Sequence, residues 1–287
     1  MNQFKKEIKE FAAANGVDMI GFASKDRFEG VDPRYNPFSI FPEAKTVIVL
    51  GRRITRGTLR GTEEGSNFFD YDLFGAKFLD DQFVAQSCYD VTRFLEDAGW
   101  EAVPIFPNPQ EAYGMGVPVA EGRPEPNVAP DFQYAVVACG LGEVSMHGEI
   151  LTKRFGPRQR FQMIITDAEI ESDPILTESI CNQCGACADV CPMLAIDKNK
   201  TNDLNICGKT MKVADINYNL CRQCKNGAKV NRLFSTAKPD RLAALCTRTC
   251  MCKLEESNNI ENVFENSFRT SEAWGIDIYG KNVKVNG

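Results

Sequence analysis

Four closely spaced cysteines followed by a proline constrain this chain more than any other feature. The run is CNQCGACADVCP, which places cysteines at 181, 184, 187 and 191 with Pro192 behind them. The chain has 12 cysteines, and ten of them lie between Cys181 and Cys252. Disulfides are disfavoured in a reducing cytosol, and cysteines that only fill a core would be scattered. Their concentration therefore predicts metal ligation in the last third of the chain.

The spacing of this run is typical of an iron–sulfur motif. It reads C-x2-C-x2-C-x3-C-P, the pattern of bacterial-type ferredoxins that hold [4Fe–4S] clusters. Three thiolates two residues apart on a tight loop can reach three irons of one cluster, and Gly185 permits the close turn. The fourth cysteine begins a helix that points away, so we expect Cys191 to serve a second cluster. Structural zinc is the main alternative, and a disulfide knot is a remote one.

A second cluster needs three further cysteines, which the downstream sequence supplies in an unusual form. The segment CRQCKNGAKV provides Cys221 and Cys224, but Gly227 stands where a third cysteine is due. The missing ligands must come from CTRTCMCKLE, in which Cys252 is an alternative to Cys250. Cys207 is left without a role. We predict a first cysteine set of Cys181, Cys184, Cys187 and Cys250, and a second cysteine set of Cys191, Cys221, Cys224 and Cys246.

The segments before the cysteines alternate between helix and strand patterns. Apolar spacing predicts helices near residues 4–16 and 73–99, and a short one before Gly140. Strands are predicted at 18–24, 46–50, 100–106 and 160–167, with a proline-rich irregular loop over 107–130. This βαβ-like alternation favours an α/β layer. The expected domains are an α/β domain over 1–175, an iron–sulfur domain over 176–256, and a tail over 257–287 that packs on the body or is flexible.

Charge and hydropathy argue against two classes of partner. The chain carries 39 acidic and 33 basic residues, with a formal net charge of −6, whereas binding a phosphate backbone needs clustered Lys and Arg. We therefore expect no nucleic acid partner. No window approaches the ~20 apolar residues of a membrane span, and the first residues lack the apolar core of a secretory signal. The sequence predicts a cytoplasmic protein without a membrane partner.

The length of the segment before the cysteine run indicates a function beyond electron transfer. Two neighbouring clusters conduct electrons but are not an active site. About 175 residues precede the cysteine run, so we expect them to house the chemistry that the electrons serve.

A stretch just before the cysteines carries a family resemblance. It contains Gly140-Leu141-Gly142, His147-Gly148, Thr152, Phe155-Gly156 and Arg158, and Thr166-Asp167 then ends an apolar strand. This order, followed by the cysteine run, resembles the corresponding region of epoxyqueuosine reductases and reductive dehalogenases. The resemblance extends from about residue 40 to 255 and is specific from about 135 to 192.

The resemblance implies a fold, a cofactor and a mechanism. The front domain would be a nitroreductase-like α/β (α+β) layer that holds base-off cobalamin, followed by the ferredoxin-like domain with two [4Fe–4S] clusters. A low-potential donor such as ferredoxin or flavodoxin would feed the clusters, and substrate would be reduced at cobalt while an acid supplies a proton. The implied cofactor-binding residues are Gly140, Leu141, Gly142, His147, Gly148, Thr152, Phe155, Gly156, Arg158 and Arg160.

The residues themselves are also compatible with purely structural roles. The glycines could simply cap a helix and form a turn. His147, the only histidine of the chain, is more often a satisfied structural residue than a catalyst. Arg158 and Arg160 could line a solvated strand edge instead of binding an anion.

The chain departs from the family pattern at the proton donor. Epoxyqueuosine reductases carry an acid about 14 residues before the GLG, where this chain has Pro126 and Asn127, and the tyrosine acid of dehalogenases has no match. The remaining candidates for a catalytic role are Tyr113, Glu121, Glu125, Tyr134 and His147. The helical repeats that help epoxyqueuosine reductases hold tRNA are also missing from these 287 residues, so tRNA is not the expected substrate.

Three functions follow from these observations. The first is a cytoplasmic, cobalamin-dependent reductase of a small molecule that works under anaerobic conditions. The alternative is an electron-transfer or corrinoid-reducing partner protein without substrate chemistry of its own, and a third interpretation is a zinc-structured binding module.

Overall fold

The computed structural model describes residues 3–111, 114 and 116–285. Its α-helices are α1 Gln3–Ala14, α2 Arg60–Glu63, α3 Ala85–Asp97, α4 Phe132–Ala138, α5 Ala186–Asp189, α6 Tyr218–Arg222 and α7 Leu245–Glu256. Its strands are β1 Met19–Ser24, β2 Thr46–Arg53, β3 Ala102–Ile105, β4 Glu143–Val144, β5 Ile150–Leu151, β6 Gln159–Thr166, β7 Ile196–Ile206, β8 Lys209–Ile216, β9 Trp274–Ile276 and β10 Asn282–Lys284.

The chain divides into two units that are not continuous in sequence. The first unit contains Met1–Arg53, Phe78–Leu141 and Arg160–Leu176, and the second contains Ile54–Lys77, Gly142–Gln159 and Thr177–Gly287. One chain boundary therefore falls beside the position near 175 that the sequence suggested, but two earlier segments also belong to the second unit. The three-domain division stays a prediction.

A four-stranded sheet in the order β1-β2-β6-β3 forms the centre of the first unit. The central strands are apolar and buried along most of their length, as in the run Val47–Leu50. Helix α1 packs against α3, where Phe11 stacks on Phe94 with ring centroids 4.6 Å apart. The predicted strands are thus present, and the α/β character of the fold is confirmed.

The strand connections differ from the βαβ pattern that the alternation suggested. Strand β1 pairs with β2 in antiparallel orientation, and so does β3 with β6. In the simplest βαβ unit a helix joins two parallel strands that are adjacent in the sheet. Here α3 connects β2 to β3, which are not neighbours in the sheet because β6 lies between them.

The long helix predicted over 73–99 is irregular in its first half. The backbone is wound as a π-helix over Tyr71–Lys77 and again over Leu79–Val84, and regular α-helix begins only at Ala85. The apolar spacing of the sequence is similar for both windings, so it could not distinguish them. Such π-helical turns are rare and are frequently found at functional sites.

The second unit contains all the cysteines of the two sets. A β-hairpin of β7 and β8, which the sequence analysis did not predict, separates Cys191 from Cys221. Its turn is Cys207-Gly208, and both residues have positive φ (49° and 83°), as a tight two-residue hairpin turn requires.

The tail packs within this unit. The Nε1 of Trp274 donates to the carbonyl of Glu63 at 2.8 Å, and Phe268 is fully buried. Among the described residues, no helix is long and apolar enough to cross a membrane.

Candidate iron–sulfur site

The first cysteine set surrounds one pocket. The pocket is lined by Cys181, Cys184, Cys187 and Cys250, together with Met146, His147 and neighbouring loop residues. The loop that carries the first three thiols turns through Gln183 (φ 57°) and Gly185 (φ 77°), and α5 begins directly after it. These two left-handed residues let the loop curl tightly enough for its thiols to face the same space. The close turn expected at Gly185 is therefore present.

A buried carboxylate holds the start of this loop. Glu143 is 2% exposed and accepts hydrogen bonds from the backbone N–H groups of Ile180 (2.8 Å) and Cys181 (2.6 Å). Its other oxygen lies 3.0 Å from the Nζ of Lys209. Glu143 was not among the residues predicted from the sequence, although an acid within an apolar strand that precedes a ligand loop was a usable signal.

The second cysteine set forms a neighbouring group within the same unit. Cys191, Cys221 and Cys224 pack in one apolar cluster. The fourth member, Cys246, has Cys191 and Cys224 among its electrostatic neighbours. It also packs in the cluster that contains Cys187 of the first set, so the two sets adjoin.

Backbone and side-chain N–H groups point at sulfurs of both sets. The N–H of Ala195 donates to Cys191 Sγ at 3.4 Å, and both the N–H and the Nδ2 of Asn226 donate to Cys224 Sγ at 3.4 Å. In the first set, the backbone N–H of Met146 interacts with Cys181. Hydrogen bonds to sulfur are one of the ways in which proteins tune iron–sulfur clusters. The fully buried Asn226 is a second residue that the sequence analysis missed.

Helix α7 contributes one thiol to each set. Cys246 and Cys250 are four residues apart, so they lie on the same helix face about 6 Å apart along the axis. Cys250 has Cys187, Cys181 and Cys184 as its electrostatic neighbours. Cys252 points elsewhere, because its neighbours are Arg269, Glu63, Glu255 and Glu256. The helix geometry thus separates Cys250 from its predicted alternative.

Gly227 has a steric reason to be glycine. Its φ is +98°, and a Cβ at this position would lie 2.3 Å from the carbonyl oxygen of Ala243. A cysteine here would be strained and would clash with the backbone. The fold therefore excludes a third cysteine at this point of the second motif, and Cys246 lies beside the set in its place.

Burial keeps these cysteines protonated unless a metal binds them. Burial raises the pKa of Cys187 and Cys246 to about 12 and that of Cys221 to about 11. It raises the pKa of Cys250 well above its usual range. Ligation needs thiolates, so metal binding has to displace these protons. A group of four neighbouring thiols with N–H donors to sulfur fits an iron–sulfur cluster.

The thiols line a space and do not converge on one point. In the part of the chain that the structure describes, no three His, Cys, Asp or Glu side chains are arranged to hold a single metal ion.

The other cysteines lie away from both sets. Cys88 and Cys139 are buried in the first unit, where their thiols approach the carbonyls of Met163 and Val47. Their burial gives these two cysteines a packing role in the core. Cys207 is half-buried in the hairpin turn.

Comparison with known proteins agrees with this geometry. The 4Fe-4S binding domain family (Fer4) matches residues 174–197. A reductive dehalogenase whose structure suggests a mechanism for B12-dependent dehalogenation aligns with a TM-score of 0.55 and 18% identity, covering 91% of this chain and 32% of that one. An epoxyqueuosine reductase in complex with a tRNA-Tyr stem loop aligns with a TM-score of 0.52 and 18% identity, covering 90% and 67%. At these identities the likeness shows a shared fold.

Two tetrachloroethene reductive dehalogenases are also similar to this chain in sequence. The tetrachloroethene reductive dehalogenase of Dehalobacter restrictus is 31% identical over 202 residues, which are 68% of this chain and 30% of the relative. The enzyme of Desulfitobacterium hafniense has the same identity and coverage. The chain is similar in sequence to these reductive dehalogenases, and it shares a fold with the epoxyqueuosine reductase. The resemblance that the sequence suggested is thereby confirmed, although the chain spans only about 30% of the length of these curated relatives.

The residues that the reductase resemblance assigned to cobalamin are mostly occupied by the protein itself. A Cβ at Gly140 would lie 2.1 Å from the carbonyl oxygen of Pro174, and one at Gly142 would lie 2.3 Å from that of Leu151. At Gly148 and Gly156, a Cβ would meet side chains 3.2 Å away. The space at these glycines is therefore filled by packing and is not an open cradle for a cofactor.

The side chains of this stretch also have internal partners. Thr152 donates to Gln159 at 3.0 Å, and Phe155 is fully buried. Arg158 is 1% exposed and donates to the carbonyl of Ile54 at 2.9 Å, so the interpretation of a solvated edge is wrong for it. Arg160 is half-buried, 3.8 Å from Asp80, and Leu141 is half-buried. The role of these residues in binding cobalamin stays a prediction.

The candidate proton donors occupy different environments. Tyr113 lies outside the described residues. Glu121 is exposed, and Tyr134 donates its hydroxyl to the carbonyl of Arg27 at 2.7 Å. Glu125 lines a polar pocket of the first unit and accepts the N–H of Gly116 at 2.6 Å.

His147, the last of these candidates, is buried beside the first cysteine set. Burial and then Arg241 lower its pKa to about 3, so it is neutral at physiological pH.

Proposed function

We propose that this chain is an iron–sulfur oxidoreductase that holds two [4Fe–4S] clusters, one at each cysteine set, and supplies electrons for a reductive reaction. The observation that carries the proposal is the separation of eight cysteines into two adjoining groups of four within one unit. The family relationship supports the reductive chemistry, since the matched relatives are reductases.

Each residue of the proposed site has a defined task. The cysteines hold the clusters, and when bound the clusters supply one-electron transfer at low potential. Glu143 fixes the loop of the first set, and Asn226 fixes Cys224 of the second. Helix α7 sets the distance between the two groups, because Cys246 and Cys250 are one turn apart on it. Adjoining sites of this kind suit the passage of electrons from one to the other.

Cobalamin dependence belongs to the proposal because of the relatives. One solved structure of similar fold concerns B12-dependent dehalogenation. Among the ten residues named from the resemblance, packing fills the glycines and side chains have internal partners. A corrinoid site, its nitroreductase-like layer and the proton donor therefore have to be sought in other residues as well. A small-molecule substrate, a ferredoxin or flavodoxin donor and a cytoplasmic location complete this proposal.

The second candidate function is an electron-transfer partner that reduces the corrinoid of another protein. The filled glycines favour it, and so does the lack of an acid at Pro126 and Asn127. A solved neighbour binds a tRNA stem loop, so the expectation that this chain binds no nucleic acid stays a prediction.

The experiment is anaerobic purification and reconstitution of the full chain, with and without hydroxocobalamin. Iron, acid-labile sulfide, zinc and corrinoid are quantified, and the reduced protein is examined by electron paramagnetic resonance (EPR). Two clusters predict about eight irons and eight sulfides per chain. The double variant Cys184→Ala/Cys224→Ala, which removes one thiol from each set, should lose both clusters.

The possible results separate the candidates. Retained corrinoid together with about eight irons supports the cobalamin-dependent reductase. About eight irons without corrinoid, in a chain that reduces a corrinoid protein added to it, supports the electron-transfer partner. Zinc without sulfide contradicts both.

A further inference from the structure

Arg241 is a buried cation beside the second cysteine set. It is 3% exposed and lies five residues before Cys246, in the segment that leads into α7. Its Nη2 donates to the carbonyl of His147 at 2.8 Å and lies 2.8 Å from the carboxylate of Glu149. Glu149 thus balances the positive charge on one side of the guanidinium.

The other nitrogens of the guanidinium group carry N–H donors that have no acceptor among the described residues. Its Nε and Nη1 are buried, and neither has a hydrogen-bond partner among the described residues. A buried charged donor without a partner destabilises the fold, because it loses its hydrogen bonds to water and gains none in return. Folds rarely keep such groups unless something accepts their hydrogen bonds.

The groups around these donors are sulfurs and one aromatic ring. The ring of Tyr218 lies 5.2 Å from the guanidinium carbon. Cys246 and Cys221 are both electrostatic neighbours of the arginine, whose charge lowers the pKa of each thiol against the larger effect of burial. Arg241 is therefore placed against two of the four ligands of the second set.

Resting on the two-cluster function proposed above, we infer that Arg241 donates its Nε–H and Nη1–H groups to sulfurs of the second cluster and raises its reduction potential. A cluster becomes more negative when it is reduced, so a nearby fixed positive charge stabilises its reduced form. Arg241 acts through the cluster and is a positioning residue.

The first set has no equivalent buried cation in its pocket. Among the described residues that line the pocket, the cationic one is Lys253, whose side chain is 42% exposed and pairs with Glu256. Water screens an exposed charge far more than a buried one. The charge of Arg241 therefore acts on the second cluster with little screening, which favours reduction of that cluster.

The test is an EPR-monitored redox titration of the reconstituted full chain and three variants. Arg241→Gln removes the charge and should lower the potential of the second cluster by about 59 mV, a tenfold change in its one-electron reduction equilibrium. Glu149→Gln removes the counter-charge and should shift the same potential upward. Lys225→Gln, the control, removes an exposed charge next to Cys224 and should shift it little.

Opposite shifts from Arg241→Gln and Glu149→Gln, with the first cluster unchanged, support the inference, because a purely structural role would not reverse sign. Unchanged potentials in variants that hold both clusters overturn it and leave the two-cluster function intact. If Arg241→Gln does not assemble the second cluster, Glu149→Gln decides alone, and absence of an upward shift overturns the inference. A parent chain without two clusters contradicts the proposed function itself.

Discussion

The first cysteine set has one exposed thiol, whereas the second has none and adjoins a buried cation. Cys184 is exposed and the first pocket includes the neutral His147. In the second set Cys221 and Cys246 are buried, and Arg241 lies against both. Each set offers four cysteine thiols as ligands. Two sites with identical ligands can therefore differ in potential and stability because of residues that are not ligands and lie far away in sequence.

The two sets also differ in how their loops are held. The first depends on one carboxylate, Glu143, which accepts two backbone N–H groups. The second depends on Asn226, whose amide reaches both Cys224 and the backbone of Ile276 in the tail. The tail thus stabilises the second set, while the segment before the cysteine run stabilises the first.

The largest effect is expected from substitution of the thiols of α7, because this helix contributes one thiol to each set. Cys250→Ala should remove the first cluster and leave about four irons per chain, while its control Cys252→Ala should keep about eight. The reason is the helix geometry, which turns Cys252 toward Arg269 and Glu63. Iron and sulfide analysis with EPR checks this. Iron loss in Cys252→Ala but not in Cys250→Ala would reverse the ligand assignment.

Gly227 provides the next test, directed at the second set alone. Gly227→Ala should destabilise the protein by about 3 kcal/mol, since φ of +98° costs a side chain ~1–2 kcal/mol and the clash with Ala243 adds to it. Gly208→Ala is the matched control, with φ of +83° and no atom within 4 Å of its Cβ. It should cost only about 1 kcal/mol.

Anaerobic guanidinium denaturation measures this difference, and EPR shows which cluster is lost first. The second cluster should be released first in Gly227→Ala. Equal destabilisation by the two alanines would mean that the carbonyl of Ala243 moves freely and that sterics do not exclude a cysteine at 227.

Glu143 tests the first set in the same way. Glu143→Gln leaves the buried Lys209 without its counter-charge and weakens the acceptor for two N–H groups, at a cost of about 2–3 kcal/mol. The first cluster should then be released before the second. Glu178→Gln is the control, because its side chain is 71% exposed and should contribute less than 1 kcal/mol. Selective loss of the second cluster in Glu143→Gln would contradict the assigned role.

The sequence predicted those parts of the molecule that depend on local spacing. Cysteine intervals are set by the loop that carries them, so the first motif could be identified from the chain alone, and apolar runs such as Val47–Leu50 indicated strands. Strand order could not be predicted, because β6 enters the sheet between β2 and β3 from a distant segment.

The residues around the two cysteine sets were missed for a similar reason. Glu143, Asn226 and Arg241 are single polar residues without a repeating pattern, and only the fold shows that they are buried beside the thiols. At Gly140 and Gly142 the fold adds a second reason for glycine, because the lack of a side chain makes room for the backbone of the chain itself.

The smallest effect is expected from substitution of His147. This residue lies beside the first set, as Arg241 lies beside the second, but it is neutral. The hydroxyl of Ser145 donates to the carbonyl of Glu149 (2.8 Å), so its oxygen accepts from the Nδ1–H of His147 (2.9 Å). Nε2 is then unprotonated, buried and without a partner in the described residues. Burial and Arg241 lower the folded-state pKa of His147 to about 3, against about 6.5 in the unfolded chain.

The unfolded state therefore binds more protons between pH 6.5 and about 3, and the contribution of His147 to stability is complete above this range and lost as pH falls through it. Between pH 7 and 5 the parent should lose about 2 kcal/mol more than His147→Asn, which keeps an N–H donor for Ser145. Anaerobic denaturation at both pH values measures the difference, and protonation of the cysteines cancels because it is common to both chains. An identical pH dependence in the two proteins would show that His147 can gain a proton in the folded state and that its pocket is not closed to water.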